Sequence, residues 1–140
     1  MNKQPRKSGK MGKRMIAMMA GLLLLTACQE TLEERCAREA REYSRKNCPA
    51  PIAKGVRIDS LSFDKATHTL IYSYSLEGVI DDSTVIHRND PTELMLQQLK
   101  NATAMKPYKE AGYNFQYIYY STKDKGKKLF EATFQEKDYR

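Results

Sequence analysis

The sequence predicts an α+β domain of order αββαββ, with a four-stranded antiparallel sheet and two helices on one face. Three observations predict it. Two amphipathic helical stripes occur, one from Glu30 to Arg45 and one between Asp90 and Pro107. Each is followed by a linker and two runs of alternating apolar residues separated by turn residues. The two hairpins also open alike, at Gly55-Val56-Arg57-Ile58 and at Gly112-Tyr113-Asn114-Phe115. Alternation of this kind favours antiparallel strands with one wetter face.

The first helix places Leu32, Cys36, Ala40 and Tyr43 on one stripe, at spacings of four, four and three. Glu34–Arg38, Arg35–Glu39, Arg38–Glu42 and Glu42–Lys46 are opposite charges one turn apart, the spacing that supports an exposed helix face. Pro49-Ala50-Pro51 and Gly55 read as a linker. Val56 to Phe63 reads as a strand whose apolar parity shifts: Val56 and Ile58 share one face, Leu61 and Phe63 the other. A bulge at Asp59-Ser60 reconciles them. Asp64 to His68 is a hairpin turn. Thr69 to Leu76 then alternates, with Leu70, Tyr72, Tyr74 and Leu76 on one side.

Gly78 to Arg88 reads as a polar loop centred on Asp81-Asp82-Ser83. In the second helix Asp90 fits the N-cap, Pro91 the first helical position and Glu93 the third. Met95, Leu96, Leu99, Ala102 and Met105 form its stripe. The third strand aligns Tyr113, Phe115, Tyr117 and Tyr119. Asp124-Lys125-Gly126 turns the chain, and Leu129 to Phe134 is the fourth strand. The last six residues are polar and are expected to fray.

The amino terminus has a different grammar. Lys3, Arg6, Lys7, Lys10, Lys13 and Arg14 precede an uncharged apolar run from Met15 to Leu25, and Leu25-Thr26-Ala27-Cys28 closes it. A basic start, a short apolar run and small residues before the cut form an export signal. The run is too short to span a bilayer, which needs about 20 apolar residues. With its cysteine, this segment resembles the lipobox of bacterial lipoproteins. The resemblance implies that residues 1–27 are a signal peptide, that Cys28 carries the lipid, and that residues 28–140 form a single small α+β domain. Gln29 stands where Asp would imply inner-membrane retention, so the resemblance implies a cell-envelope protein held at the outer membrane. Several acyl chains hold a protein stably where one does not.

Processing changes the charge. The whole chain carries +7, with 24 Lys and Arg against 17 Asp and Glu. Residues 1–27 hold six of those bases and no acid, so residues 28–140 carry 18 against 17, a formal +1. That balance supplies no field for nucleic acid. With Cys28 lipidated, Cys36 and Cys48 remain as a pair in an oxidising compartment. A disulfide between them would contribute roughly 3 kcal/mol in the entropic model. On one continuous helix they would lie about 18 Å apart, whereas a disulfide needs Cα atoms within about 7 Å. Either the helix stops near Tyr43 or Ser44 and the pair bonds, which is the reading adopted, or both thiols are free.

Asn47-Cys48-Pro49, Asp59-Ser60, Tyr72-Ser73-Tyr74, Tyr117-Ile118-Tyr119-Tyr120 and Gly126 together resemble small uncharacterised secreted proteins of Bacteroides-type bacteria. That resemblance supports the fold and implies no activity. Asp59-Ser60-Leu61 and Asp82-Ser83-Thr84 resemble the O-glycosylation acceptors of such proteins, which makes Ser60 and Ser83 candidate sites.

Catalytic patterns are sparse. His68 lies in a turn and His87 in a loop, and no paired-histidine, Cys-x-x-Cys or glycine-rich phosphate motif occurs. Asp81, Asp82, Asp90 and His87 read as a solvated acidic loop, and no metal or cofactor is assigned. Ile118 and Tyr120 face away from the helices and form a candidate surface patch. Lys123, Lys125, Lys127 and Lys128 cluster at a hairpin tip. The expected function is a lipid-anchored, non-enzymatic binding or interaction module, with the membrane and an envelope protein or glycan as partners. The alternatives are a small envelope hydrolase or thiol enzyme pairing Cys36 or Cys48 with His68 or His87, and a structural or assembly lipoprotein.

Overall fold

Helix α1 (Leu32–Asn47) opens the portion of the chain that the computed structural model describes, residues 29–140. The signal segment and Cys28 lie outside the described residues. One-turn ion pairs hold the exposed side of α1, among them Arg35–Glu39 at 2.7 Å, Arg38–Glu42 at 3.6 Å and Glu42–Lys46 at 3.9 Å. Its buried side is small, comprising Cys36, Ala37 and Ala40, so the helix lies close on the sheet.

After α1 come strands β1 (Ala50–Ala53), β2 (Val56–Asp64) and β3 (Thr69–Leu76). The chain then passes through a 3-10 turn (Gly78–Ile80), α2 (Ser83–Asn89), α3 (Thr92–Asn101), a second 3-10 turn (Thr103–Met105) and α4 (Lys106–Glu110). Strands β4 (Asn114–Ser121) and β5 (Lys128–Phe134) and a last helix α5 (Glu136–Tyr139) complete it.

The sheet has five strands in sequence order, which corrects the expected four. The added strand, β1, arises from the segment read as a linker. It pairs antiparallel with β2, Ala50 opposite Ile58. The sheet is also mixed. β3 and β4 run parallel, from Thr69 opposite Asn114 to Leu76 opposite Ser121, while the other pairs are antiparallel. Residues 77–113 connect β3 to β4 and carry three helices. A crossover of that length is what a parallel pair requires, whereas a hairpin can only join antiparallel strands.

Register confirms the bulge in β2. Ile58 faces Tyr74 and Ser60 faces Ser73, leaving Asp59 as the extra residue. Beyond β1 the edge of β2 would be bare, and α1 covers it. The Ser44 hydroxyl accepts from Leu61 N and donates to Leu61 O, both at 2.7 Å, in place of a strand neighbour. At the β1–β2 turn, Gly55 has φ +74°, and an added Cβ would meet Glu77 O at 3.0 Å and Ile80 Cδ1 at 3.1 Å. Glycine suits both constraints.

One face of the sheet joins Leu61 and Phe63 of β2, Leu70 and Tyr72 of β3, Phe115 and Tyr117 of β4, and Ala132 and Phe134 of β5. Cys36 and Ala40 of α1, Met95 and Leu99 of α3, Tyr108 of α4 and Tyr139 of α5 pack into the same cluster. Phe115, fully buried, is at its centre. The opposite face carries Ile71, Ser73, Gln116, Ile118 and Tyr120, half-buried.

The segment read as a polar loop is mostly helical. Asp82 caps α2 by accepting from Thr84 N at 2.7 Å. For α3 the cap position is Pro91, one residue later than expected, and it has no side-chain cap bond; Asp90, just before it, accepts from Thr92 N at 3.1 Å. At the far end of α3, Lys109 Nζ donates to Leu99 O at 2.9 Å and Lys100 O at 2.8 Å, satisfying terminal carbonyls. The final residues do not fray. Gln135 and Asp138 form a reciprocal cap around α5, and Tyr139 is buried.

Candidate functional site

The parallel pair ends at Leu76 and Ser121, side by side. In open sheets, the carboxyl ends of parallel strands are where ligands commonly bind, because loops diverge there. Here the 3-10 turn follows β3 and the lysine-rich hairpin follows β4. Asp81 ties the two together. Its Oδ2 accepts from Thr122 N at 3.0 Å and from Lys123 N at 2.9 Å. Among the described residues its Oδ1 has no hydrogen-bond partner. The Ser121 hydroxyl, whose oxygen accepts from Asp124 N at 2.9 Å, stands near the Asp81 carboxyl. Ser121, then the amides of Lys123 and Thr122, hold the Asp81 carboxyl below the usual carboxylate range.

That shift sets a pH dependence. A carboxyl whose folded pKa is depressed contributes stability that is complete above its unfolded value, about 3.9 for Asp. The contribution is lost as pH falls through the lower folded value. Asp81→Asn is expected to leave the urea midpoint less dependent on pH between 5 and 2. An acid limb identical to that of the parent would show that Asp81 does not fasten the hairpin.

Above this junction lies a cavity of about 200 Å³. Val85 and Ile86 of α2 form one wall, Leu76 and Ile80 another, and the Asn89–Pro91 link closes an end. Tyr119 is the floor. Its ring stacks on Tyr74 at 4.7 Å and meets Phe130 edge-on at 6.2 Å. A second tyrosine pair, Tyr72 and Tyr117, stacks behind it at 4.9 Å. Burial pushes the phenols of Tyr74 and Tyr119 up, so both are neutral and can donate. Among the described residues the Tyr119 hydroxyl has no hydrogen-bond partner. Asn89 Nδ2 donates to Val85 O at 2.8 Å, which leaves its Oδ1 as an acceptor. The site is an aliphatic bowl with one phenol and one amide oxygen as polar handles. Such a bowl can exclude water and hold an apolar group.

The residues singled out from sequence fall elsewhere. Helix α1 runs unbroken through Asn47, so Cys36 and Cys48 stand on the geometry that forbids bonding, and both are free. This corrects the expected disulfide. Burial, then Glu39, pushes the Cys36 thiol up to about 12. Burial and Asp59 raise Cys48, against a smaller opposing effect from Ser44. Both shifts disfavour thiolate, the nucleophilic form. Native protein titrated with a thiol reagent at pH 8 is expected to lose Cys48 first and Cys36 only on unfolding. One thiol or none after denaturation without reductant would overturn this.

The histidines pair with other groups. His68 meets Glu33 at 2.6 Å and stacks on Tyr113 at 5.2 Å. His87 sits edge-on to Phe130 at 5.9 Å. Asp82 caps α2, Asp90 accepts from Thr92 N just before α3, and among the described residues no three His, Cys, Asp or Glu side chains form a metal-sized group. Ser60 lies half-buried beside the β2 bulge, and Ser83, also half-buried, is the first residue of α2. Ile118 and Tyr120 lie on the sheet face away from the described helices, in register with Ser73 and Ser75. At the hairpin, Lys127 pairs with Asp124 at 3.8 Å and Lys128 pairs with Glu131.

The cavity wall is what sequence reasoning missed. Ile80, Val85 and Ile86 sit in the segment read as polar loop. The signal was present: an Asp-Ser cap signature followed by β-branched residues at adjacent positions.

Comparison with known proteins bears on the fold and the family. No curated protein matches the chain. The crystal structure of a provisionally assigned secreted protein from Pseudomonas aeruginosa superposes with a TM-score of 0.62 at 10% identity, covering 80% of this chain and 100% of that one. At that identity the likeness concerns the fold alone. The model of the family described as a domain of unknown function (DUF8479) matches residues 31–130, and the chain belongs to that family.

Proposed function

We propose that the protein is a lipid-anchored envelope module that binds a small apolar ligand and performs no chemistry on it. The observation that carries the binding reading is the preformed aliphatic bowl at the carboxyl ends of β3 and β4, floored by Tyr119. The anchoring reading rests on Leu25-Thr26-Ala27-Cys28 after a basic start. Three residues separate Cys28 from Leu32, so a lipid on Cys28 would tether the domain on a short leash. No helix among the described residues is long and apolar enough to cross a membrane. The structural neighbour's designation as secreted agrees with export. The thiol-enzyme reading loses support from two raised thiols whose neighbours are not histidines.

Two measurements test this reading. Cells fed an alkyne-tagged palmitate should label the parent protein and not the Cys28→Ser variant, and equal labelling would remove the anchor. A panel of small apolar fragments, followed by methyl NMR, should shift Val85 and Ile86 saturably. Saturable shifts confined to Ile71 and Ile118 would move the binding surface to the opposite face of the sheet. No saturable shift anywhere would remove the binding reading.

A further inference from the structure

We infer that the cavity takes the acyl chain of a single-chain amphiphile, whose anionic head lies at Lys123 and Lys125 on the β4–β5 hairpin. The inference rests on the binding reading above and names the class of ligand.

The size comes first. An apolar protein cavity of about 150 Å³ stays dry and admits benzene, and this one is about 200 Å³. The shape of the surrounding surface then favours a chain over a compact ring. Exposed apolar side chains stand next to the bowl's lining residues along the chain. Val79, next to wall residue Ile80 in the 3-10 turn, is 87% exposed, and Leu94 is 63% exposed. Leu94 lies in the first turn of α3, directly after the Asn89–Pro91 link that closes one end of the bowl. A compact ligand would fill the bowl and leave both side chains in water. A hydrocarbon chain entering over the lip would cover apolar surface that exposure leaves unfavourable.

Charge supplies the head end. The lysine-rich hairpin hangs beside the bowl, because Asp81, the residue after Ile80, accepts from the amides of Thr122 and Lys123. Lys127 and Lys128 are engaged by Asp124 and Glu131. Among the described residues Lys123 and Lys125 form no ion pair. The carboxyls of Asp81 and Asp82 are drawn down chiefly by Ser121 and by Thr84 N, respectively, and in smaller part by nearby Lys123, whose charge is thus shared with them. Those carboxylates accept from the hairpin amides and cap α2, respectively. Lys125, at the tip, carries an unshared ammonium. An anionic head there completes a polar end to an otherwise aliphatic site.

The experiment uses the full chain in phospholipid nanodiscs with a photoactivatable dodecanoate, and reads the labelled residues by peptide mass spectrometry. Labelling within residues 78–91, saturable and competed by unlabelled dodecanoate, is expected. The corresponding neutral dodecanol probe should label the same residues about tenfold more weakly, a difference of about 1.4 kcal/mol. The double variant Lys123→Gln, Lys125→Gln should abolish that difference. Ile86→Phe, which fills the bowl, should cut labelling about tenfold. Because that variant disturbs a packed side chain, Val79→Asp at the exposed lip gives an independent arm with the same expected direction.

Labelling that dodecanoate fails to compete, or that falls on Ile71 and Ile118, overturns the inference. So does equal labelling of residues 78–91 by a photoactivatable diacyl phospholipid held in the disc, because bilayer contact would then explain it. If the fragment panel shifts Val85 and Ile86 while dodecanoate labels nothing, the ligand class falls and the binding module stands. If neither binds, both fall.

Discussion

Phe115→Ala is expected to lower the unfolding free energy by about 3–5 kcal/mol, the range for truncating a buried aromatic. Phe115 is the one aromatic with no exposed surface, and its neighbours come from every layer. It faces Leu70 across the parallel ladder and Phe134 across the antiparallel one, and Tyr139 meets it edge-on at 5.6 Å. Met95 and Leu99 of α3 and Cys36 of α1 share its cluster. Two strands fix the backbone on either side, so the site cannot collapse to refill the lost volume, and the cost belongs at the upper part of the range. Natural domains hold about 5–15 kcal/mol in all, so the variant keeps a folded state with a much reduced margin. Urea unfolding monitored by circular dichroism would read the loss as a lower midpoint at unchanged slope. A loss under about 1 kcal/mol would mean that this cluster is not the centre of the core.

The parts of the fold legible in the sequence are those written by a local period. Leu70, Tyr72, Tyr74 and Leu76 alternate, and β3 forms from Thr69 to Leu76 with those residues on one face. The parity change around Asp59-Ser60 marks the bulge, which the register places there. The start of α3 was legible to within one residue: Asp90 does accept from Thr92 N, but Pro91 is the cap position. What was not legible depends on distance in space. Whether β3 and β4 pair parallel follows from where the 77–113 crossover returns the chain, and no residue in either strand encodes that direction. Strand β1 contains Pro51 and almost no alternation, and it forms because β2 offers an unpaired edge. The extent of α1 turned on Lys46 and Asn47, where proline two residues on disfavours helix only in the residue it follows. Two extra residues of helix changed the sulfur chemistry, since they keep Cys36 and Cys48 on one axis. The bowl was hidden for a related reason: Ile80 and Val85 are separated by Asp81-Asp82-Ser83-Thr84, and they converge only because Asp82 starts a helix there.

The carboxyl-terminal segment is where the polar composition misleads most, and Tyr139→Ala measures by how much. The sequence Gln-Glu-Lys-Asp-Tyr-Arg contains one apolar ring among five polar residues, and that ring is the point of the segment. Tyr139 is 8% exposed, and its hydroxyl donates to Tyr113 O at 2.7 Å. The Gln135–Asp138 cap and the Arg140–Glu136 pair at 2.7 Å set the short helix that aims it. Removing the side chain leaves a hole against Phe115 and strips the Tyr113 carbonyl of its donor. The expected loss is about 3 kcal/mol. Tyr139→Phe keeps the ring and removes only the donor, with an expected loss of about 1 kcal/mol. The difference between the two variants therefore isolates the packing of the ring. A frayed tail would give changes within about 0.5 kcal/mol for both, as surface substitutions do. Because Tyr113 also stacks on Phe63 at 5.4 Å and on His68 at 5.2 Å, loosening Tyr139 should reach the β2–β3 turn. Amide exchange at Asn114, whose N–H donates to His68 O at 2.9 Å, should then quicken in Tyr139→Ala more than in Tyr139→Phe. Equal exchange in the two variants would confine the effect of the ring to its immediate neighbours in the core.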